Sequence, residues 1–127
     1  MANKSSADFL KEARENLENL TPQQAHDEIQ KGNVSVIDLR EKDELENGAI
    51  PGSTHAPRGL LEFYADEAHS FHKPEFDKNK RIILHCASGG RSTLASKTLK
   101  DMGYTNVANL EGGFTAWKNA GLPTENK

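Results

Sequence analysis

Residues 81–99 read as a single strand–loop–helix unit, and no other stretch of the chain limits the fold as strongly. Ile82-Ile83-Leu84 is an apolar run of the kind that forms a strand buried on both faces. Ser92-Thr93-Leu94-Ala95-Ser96-Lys97-Thr98-Leu99 continues with the spacing of an amphipathic helix. Between them lie the only cysteine, Cys86, and the small residues Ala87, Ser88, Gly89 and Gly90. A tight strand-to-helix turn aims successive N–H groups and the helix N-terminus at one point above the loop. A thiol at that point is expected to have a lowered pKa and to react as thiolate.

The rest of the chain alternates in the same way. Phe9, Leu10, Ala13 and Leu17 form one apolar stripe of a helix over residues 7–19. Thr21-Pro22-Gln23-Gln24 reads as N-cap, first-turn Pro and capping-box Gln for a helix that stops at Gly32. Val34 to Leu39 is a β-branched strand, and the charge-rich Arg40 to Glu46 reads as a solvated turn with a short helix through Leu45. A short strand follows at Thr54 to Ala56, a last strand at Asn106 to Leu110, and a closing helix at Phe114 to Asn119. Strands alternating with helices predict an α/β domain with a largely parallel sheet. Ligands of such sheets sit beyond the carboxyl ends of strands, and Cys86 lies at one.

With 127 residues the chain suits one domain. A formal net charge of −3 supports neither nucleic acid nor an anionic membrane as partner. No apolar stretch is long enough to span a bilayer, and Met1 to Asp8 lacks the apolar run of a signal peptide. One cysteine forms no internal disulfide, so a reducing, cytoplasmic setting is expected. His69 and His72 share a helical spacing, but Pro74 follows and no third ligand is evident. No metal and no cofactor are expected.

Three blocks resemble the rhodanese (thiosulfate sulfurtransferase) family. The first is Val36-Ile37-Asp38-Leu39-Arg40-Glu41 followed by Gly48-Ala49-Ile50-Pro51-Gly52-Ser53, with Ala49 where the family commonly has His. The second is Cys86-Ala87-Ser88-Gly89-Gly90-Arg91-Ser92, and the third is Leu110-Glu111-Gly112-Gly113-Phe114-Thr115-Ala116-Trp117. The resemblance implies a three-layer domain over residues 21–127, its central, mostly parallel sheet of about five strands flanked by helices. Residues 1–20 would be an N-terminal amphipathic helical extension. It also implies sulfur transfer through a Cys86 persulfide. A small anionic, thiosulfate-like donor would load the cysteine and release sulfite. Cyanide, a small thiol or a protein thiol would unload it, and a partner protein could stand at either step.

The residue types suit that chemistry. His85 neighbours Cys86 in a strand, so its side chain is expected on the opposite face and not as a base for the thiol. Activation is then left to the loop amides, the helix dipole and Arg91. Gly89 and Gly90 permit a tight curl with amides turned inward. Arg91 either faces the pocket to attract an anionic donor or points outward to tie down the loop through a carboxylate. Ser92 reads as the helix N-cap, with a second role as donor near Cys86. Asp38 and Arg40 are expected to form a structural ion pair or turn hydrogen bond, and Arg58, Phe63 and Tyr64 are candidates for the pocket wall. Phe114 and Trp117 have the spacing of core residues.

Two rival readings are weighed on the same loop. Cysteine phosphatases place five residues between Cys and Arg, whereas only Ala87 to Gly90 separate Cys86 from Arg91 here. The shorter cradle suits one sulfur atom better than a phosphate. A regulatory or interaction module would most simply have lost the cysteine, and this chain keeps it; a non-turnover sulfur carrier would retain it too.

Overall fold

The computed structural model describes residues 3–126. Five strands form one all-parallel sheet: β1 (Glu18–Leu20), β2 (Val34–Asp38), β3 (Thr54–His55), β4 (Arg81–His85) and β5 (Val107–Leu110), in the order β1-β5-β4-β2-β3. Parallel strands need crossovers, and the helices α2 (Pro22–Lys31), α3 (Leu61–Ala65) and α4 (Gly90–Asp101) lie in them, while α1 (Ser6–Arg14) precedes β1 and α5 (Gly113–Asn119) follows β5. A 3-10 helix, Lys42–Asn47, follows β2.

Both faces of the sheet are covered, which explains the near-continuous apolar strands. On one face Ile37, Ile82 and Leu84 pack with Leu61 of α3 and Ala95 and Leu99 of α4. On the other, Val36, Ile83 and Ala108 pack with Ala25 of α2 and Phe114 and Trp117 of α5. Burial of each such Leu, Ile or Phe contributes about 1.5–3 kcal/mol. This is the three-layer α/β architecture expected from the sequence. Phe114 and Trp117 are core residues, as their spacing predicts.

Two local expectations need correction. The helix predicted over 7–19 ends at Arg14, because Glu18–Leu20 instead pair along β5 and bury Leu20. The turn from Arg40 to Glu46 is not simply a solvated face. Arg40 is only 2% exposed, because Asp38 sits beside it and carbonyls of the 3-10 helix accept its remaining N–H groups. The capping box at Thr21 and Gln24 is formed as read.

Candidate functional site

Cys86 follows directly on β4, the central strand, flanked by β5 and β2. Its side chain is almost wholly buried. The chain then curls back through Ala87, Ser88 and Gly89 into α4. Gly89 takes φ +115°, the left-handed region that a side chain rarely adopts, and occupies the N-cap position of α4. Ser92 is therefore not the cap; the cap falls three residues earlier than the sequence suggests, and the Ser92 hydroxyl is free to turn into the loop. It donates to the Gly89 carbonyl at 3.2 Å and lies 3.5 Å from Cys86 Sγ.

The sulfur sits in a cradle of donors. The Gly89 N–H donates to Sγ at 3.1 Å. Burial pushes the thiol pKa up, but the Ser92 hydroxyl and the amides of Ser92, Gly89 and Ser88 outweigh it, so the net shift is downward. No imidazole takes part. His85 is fully buried on the opposite side of the strand, stacked on Phe114 at 6.4 Å between ring centroids. Burial lowers its pKa more than the nearby Asp38 carboxylate raises it.

The three sequence blocks meet behind this loop. Asp38 and Arg40 form a buried ion pair at 2.7 Å, as expected, with Arg40 also stacked 4.2 Å above the Phe114 ring. Arg40 Nη1 and Nη2 donate to the carbonyls of Glu44 and Gly48, which anchors the middle and the C-terminal cap of the 3-10 helix. From that helix the Glu44 carboxylate takes a bidentate pair of bonds from Arg91, at 2.7 and 2.9 Å. Arg91 holds the Glu44 carboxyl down at about 2. Of the two orientations open to Arg91, the structure shows the loop-tying one, with Cys86 still near enough to help raise the guanidinium's pKa.

Support also comes from α5. The Phe114 N–H donates to the Cys86 carbonyl at 2.8 Å, and the Thr115 N–H to the Ala87 carbonyl at 3.0 Å. Peptide planarity then turns the N–H groups of Ala87 and Ser88 away from α5. The sequence reading places Gly112 and Gly113 only within the third family block and misses this contact; a glycine pair at a strand end after a thiol loop is the signal available for it.

The remaining candidates lie elsewhere. Arg58 pairs with Glu62 and reaches Thr98 of α4, without a bond to the loop. Phe63 is exposed and stacks on His69, while Tyr64 packs against the sheet-face cluster. A surface cavity of about 740 Å³ runs along the 3-10 helix and is lined by Glu41, Lys42, Asp43, Leu45, Glu46 and His55, not by the Cys86 loop. Among the described residues no group of His, Cys, Asp and Glu is arranged to hold a metal ion.

A central parallel sheet with a buried cysteine cradled by loop amides at its carboxyl edge defines the class of this α/β domain. The rhodanese-like domain model matches residues 21–120, and the chain belongs to that family. It is 40% identical over 91 residues to a putative mitochondrial thiosulfate sulfurtransferase of Schizosaccharomyces pombe, covering 66% of this chain and 63% of that protein. A sulfurtransferase of Allochromatium vinosum is 33% identical over 90 residues, covering 71% of this chain and 77% of that one. Among solved structures, a Rhodopseudomonas palustris protein of unknown function superimposes with a TM-score of 0.91 at 40% identity, over 98% of this chain and 97% of that one. The chain thus spans under two thirds of the fission-yeast relative's length. No helix of the described residues is long and apolar enough to cross a membrane.

Proposed function

We propose that this protein is a sulfurtransferase that moves a sulfane sulfur from thiosulfate or a similar donor to a thiophilic acceptor through a persulfide on Cys86. The observation that carries the reading is the Gly89 N–H on Sγ at 3.1 Å, inside a loop with only four residues between Cys86 and Arg91. The Cys86 thiolate attacks the outer sulfur of the donor. A bond forms between Sγ and that sulfur, the donor's sulfur–sulfur bond breaks, and its electron pair leaves with sulfite or a thiolate. The amides of Ala87, Ser88, Gly89 and Gly90, the Ser92 hydroxyl and the Arg91 charge then hold the anionic outer sulfur. An acceptor thiolate or cyanide attacks that sulfur and returns Cys86 to the thiolate.

Asp38 and Arg40 serve this site as positioning residues, by fixing the helix that carries Glu44. Arg58 has no contact with the loop and only braces α4 from the side. Residues 21–127 carry the chemistry, preceded by α1 and by the edge strand β1, which completes the sheet, and a reducing compartment such as the cytoplasm suits the free thiol. A protein thiol or persulfide is a fitting partner alongside small molecules.

Two other readings have support of their own. A putative sulfur carrier protein of Bacillus subtilis is 34% identical over 84 residues, which favours a loaded Cys86 that hands sulfur to a partner without turning over small donors. The Rhodopseudomonas palustris structure is described as a possible tyrosine phosphatase. The buried sulfur and the short loop argue against a phosphate in this cradle. Intact-mass spectrometry after incubation with thiosulfate, or with a protein persulfide, should show a gain of one sulfur that thiol or cyanide reverses. A Cys86→Ser protein that still transferred sulfur would refute the assignment, and loading by the protein persulfide alone would favour the carrier.

A further inference from the structure

We propose that the pairing of Glu44 with Arg91 makes this site selective by charge, favouring an organic persulfide, R–S–SH, over the thiosulfate dianion as sulfur donor. The inference rests on the sulfur-transfer reading above and concerns only which donor loads Cys86.

Each arginine that could draw an anion toward the loop is already matched by a carboxylate. Arg91 is held bidentately by Glu44, Arg58 is held by Glu62, and Arg40 is buried against Asp38. Glu44 is itself fixed, because its Oε1 also accepts the Glu41 N–H at 2.8 Å. It is not a passing surface contact: the Arg40 anchors at the Glu44 and Gly48 carbonyls hold its helix in place. The same helix exposes Glu41, Asp43 and Glu46 against a single cation, Lys42. One shared guanidinium therefore faces two anions, the Glu44 carboxylate and the Cys86 thiolate, before any donor arrives.

A thiosulfate dianion would bring two further negative charges to that position, and its sulfonate oxygens would find no uncommitted guanidinium among Arg40, Arg58 and Arg91. A persulfide carries at most one negative charge on its reacting sulfurs, and none when it is attacked in its protonated form. The Cys86 thiolate bonds to the outer sulfur, the R–S bond to that sulfur breaks, and its electron pair leaves as R–S⁻. The proton stays on the transferred sulfur, giving Cys86–S–SH, which then ionises in the amide cradle. No oxidant or reductant is consumed.

Stopped-flow loading of the full-length protein, with thiosulfate and with cysteine persulfide as donors across a range of salt, tests the proposal. Loading by thiosulfate should be the slower, and added salt should accelerate it by screening repulsion, while loading by cysteine persulfide changes little. In Glu44→Gln, which keeps a hydrogen-bond acceptor beside Arg91 but removes the charge, the ratio of thiosulfate to persulfide kcat/KM should rise about tenfold at low salt. Because the readout is a ratio of donors, general loosening of the loop does not mimic it. Thiosulfate loading that slows with salt, or a ratio that Glu44→Gln leaves unchanged, would overturn the proposal with the sulfur-transfer reading intact. Failure of both donors to load Cys86 would overturn that reading instead.

Discussion

Gly113 stands against Cys86 so closely that a Cβ on Gly113 would lie 2.5 Å from the Cys86 carbonyl oxygen and 2.7 Å from the Ala87 carbonyl. Its φ of +61° adds backbone strain for any side chain. That approach lets the Phe114 and Thr115 amides reach the loop carbonyls, and so turns the loop's other amides toward the sulfur. Gly113→Ala is expected to cost about 2 kcal/mol or more in stability. It should also slow alkylation of Cys86 relative to the wild-type protein at the same pH. Urea unfolding and iodoacetamide kinetics measure the two effects; a variant with wild-type values for both would contradict the role given to Gly113.

The lowered pKa of Cys86 has a pH signature. The thiolate is present at lower pH than for an ordinary cysteine, so the alkylation rate should reach its plateau at lower pH than that of an ordinary cysteine. Ser92→Ala removes the hydroxyl 3.5 Å from Sγ, which stabilises the charged form. Its rate profile should shift to higher pH, with a severalfold loss at neutral pH. A profile that does not move would assign the shift to the amides alone.

The buried Asp38–Arg40 pair supports the site from a distance. Asp38→Asn leaves the Arg40 guanidinium buried without its counter-charge, and breaking such a pair costs about 3–5 kcal/mol. Denaturant titration of the variant checks the magnitude. Loss of stability without loss of the folded enzyme's sulfur-loading rate would show that the pair acts on the fold alone.

What could be read from the sequence, and what could not, divides along physical lines. The β4–loop–α4 unit was legible because its apolar run, small-residue loop and helical spacing are all local. The short β1 strand was not, since Glu18-Asn19-Leu20 has only one buried side chain and owes its state to β5. The Asp38–Arg40 pair was foreseen from two neighbouring positions, while the Glu44–Arg91 clamp spans 47 residues and depends on where a 3-10 helix lands. Charge at Arg40 to Glu46 looked like a solvated face because sequence alone does not show that Phe114 covers Arg40. Ser92 was assigned correctly as a neighbour of the thiol but wrongly as the cap, because Gly89 needs no side chain to end the loop.

Acid should release the Glu44 clamp. Arg91 holds the Glu44 carboxyl at about 2, below its ordinary 4.5. A carboxyl whose folded pKa is depressed contributes stability that is full above the ordinary value and is lost as pH falls through the folded one. That loss belongs to the window from 4.5 down to about 2. With both partners partly in water the contribution is modest, about 1 kcal/mol or less. Stability followed against pH should therefore fall less steeply in Glu44→Gln across that window than in the wild-type protein. Equal slopes would show that Arg91 does not hold the carboxylate in solution.

The central claim is that sulfur travels on Cys86, and a single-turnover chase tests it most directly. Protein loaded with one sulfur, freed of donor and mixed with cyanide, should lose that sulfur from Cys86 and yield one equivalent of thiocyanate at a rate no slower than steady-state turnover. A loaded Cys86 that keeps its sulfur while the protein continues to turn over would contradict the account.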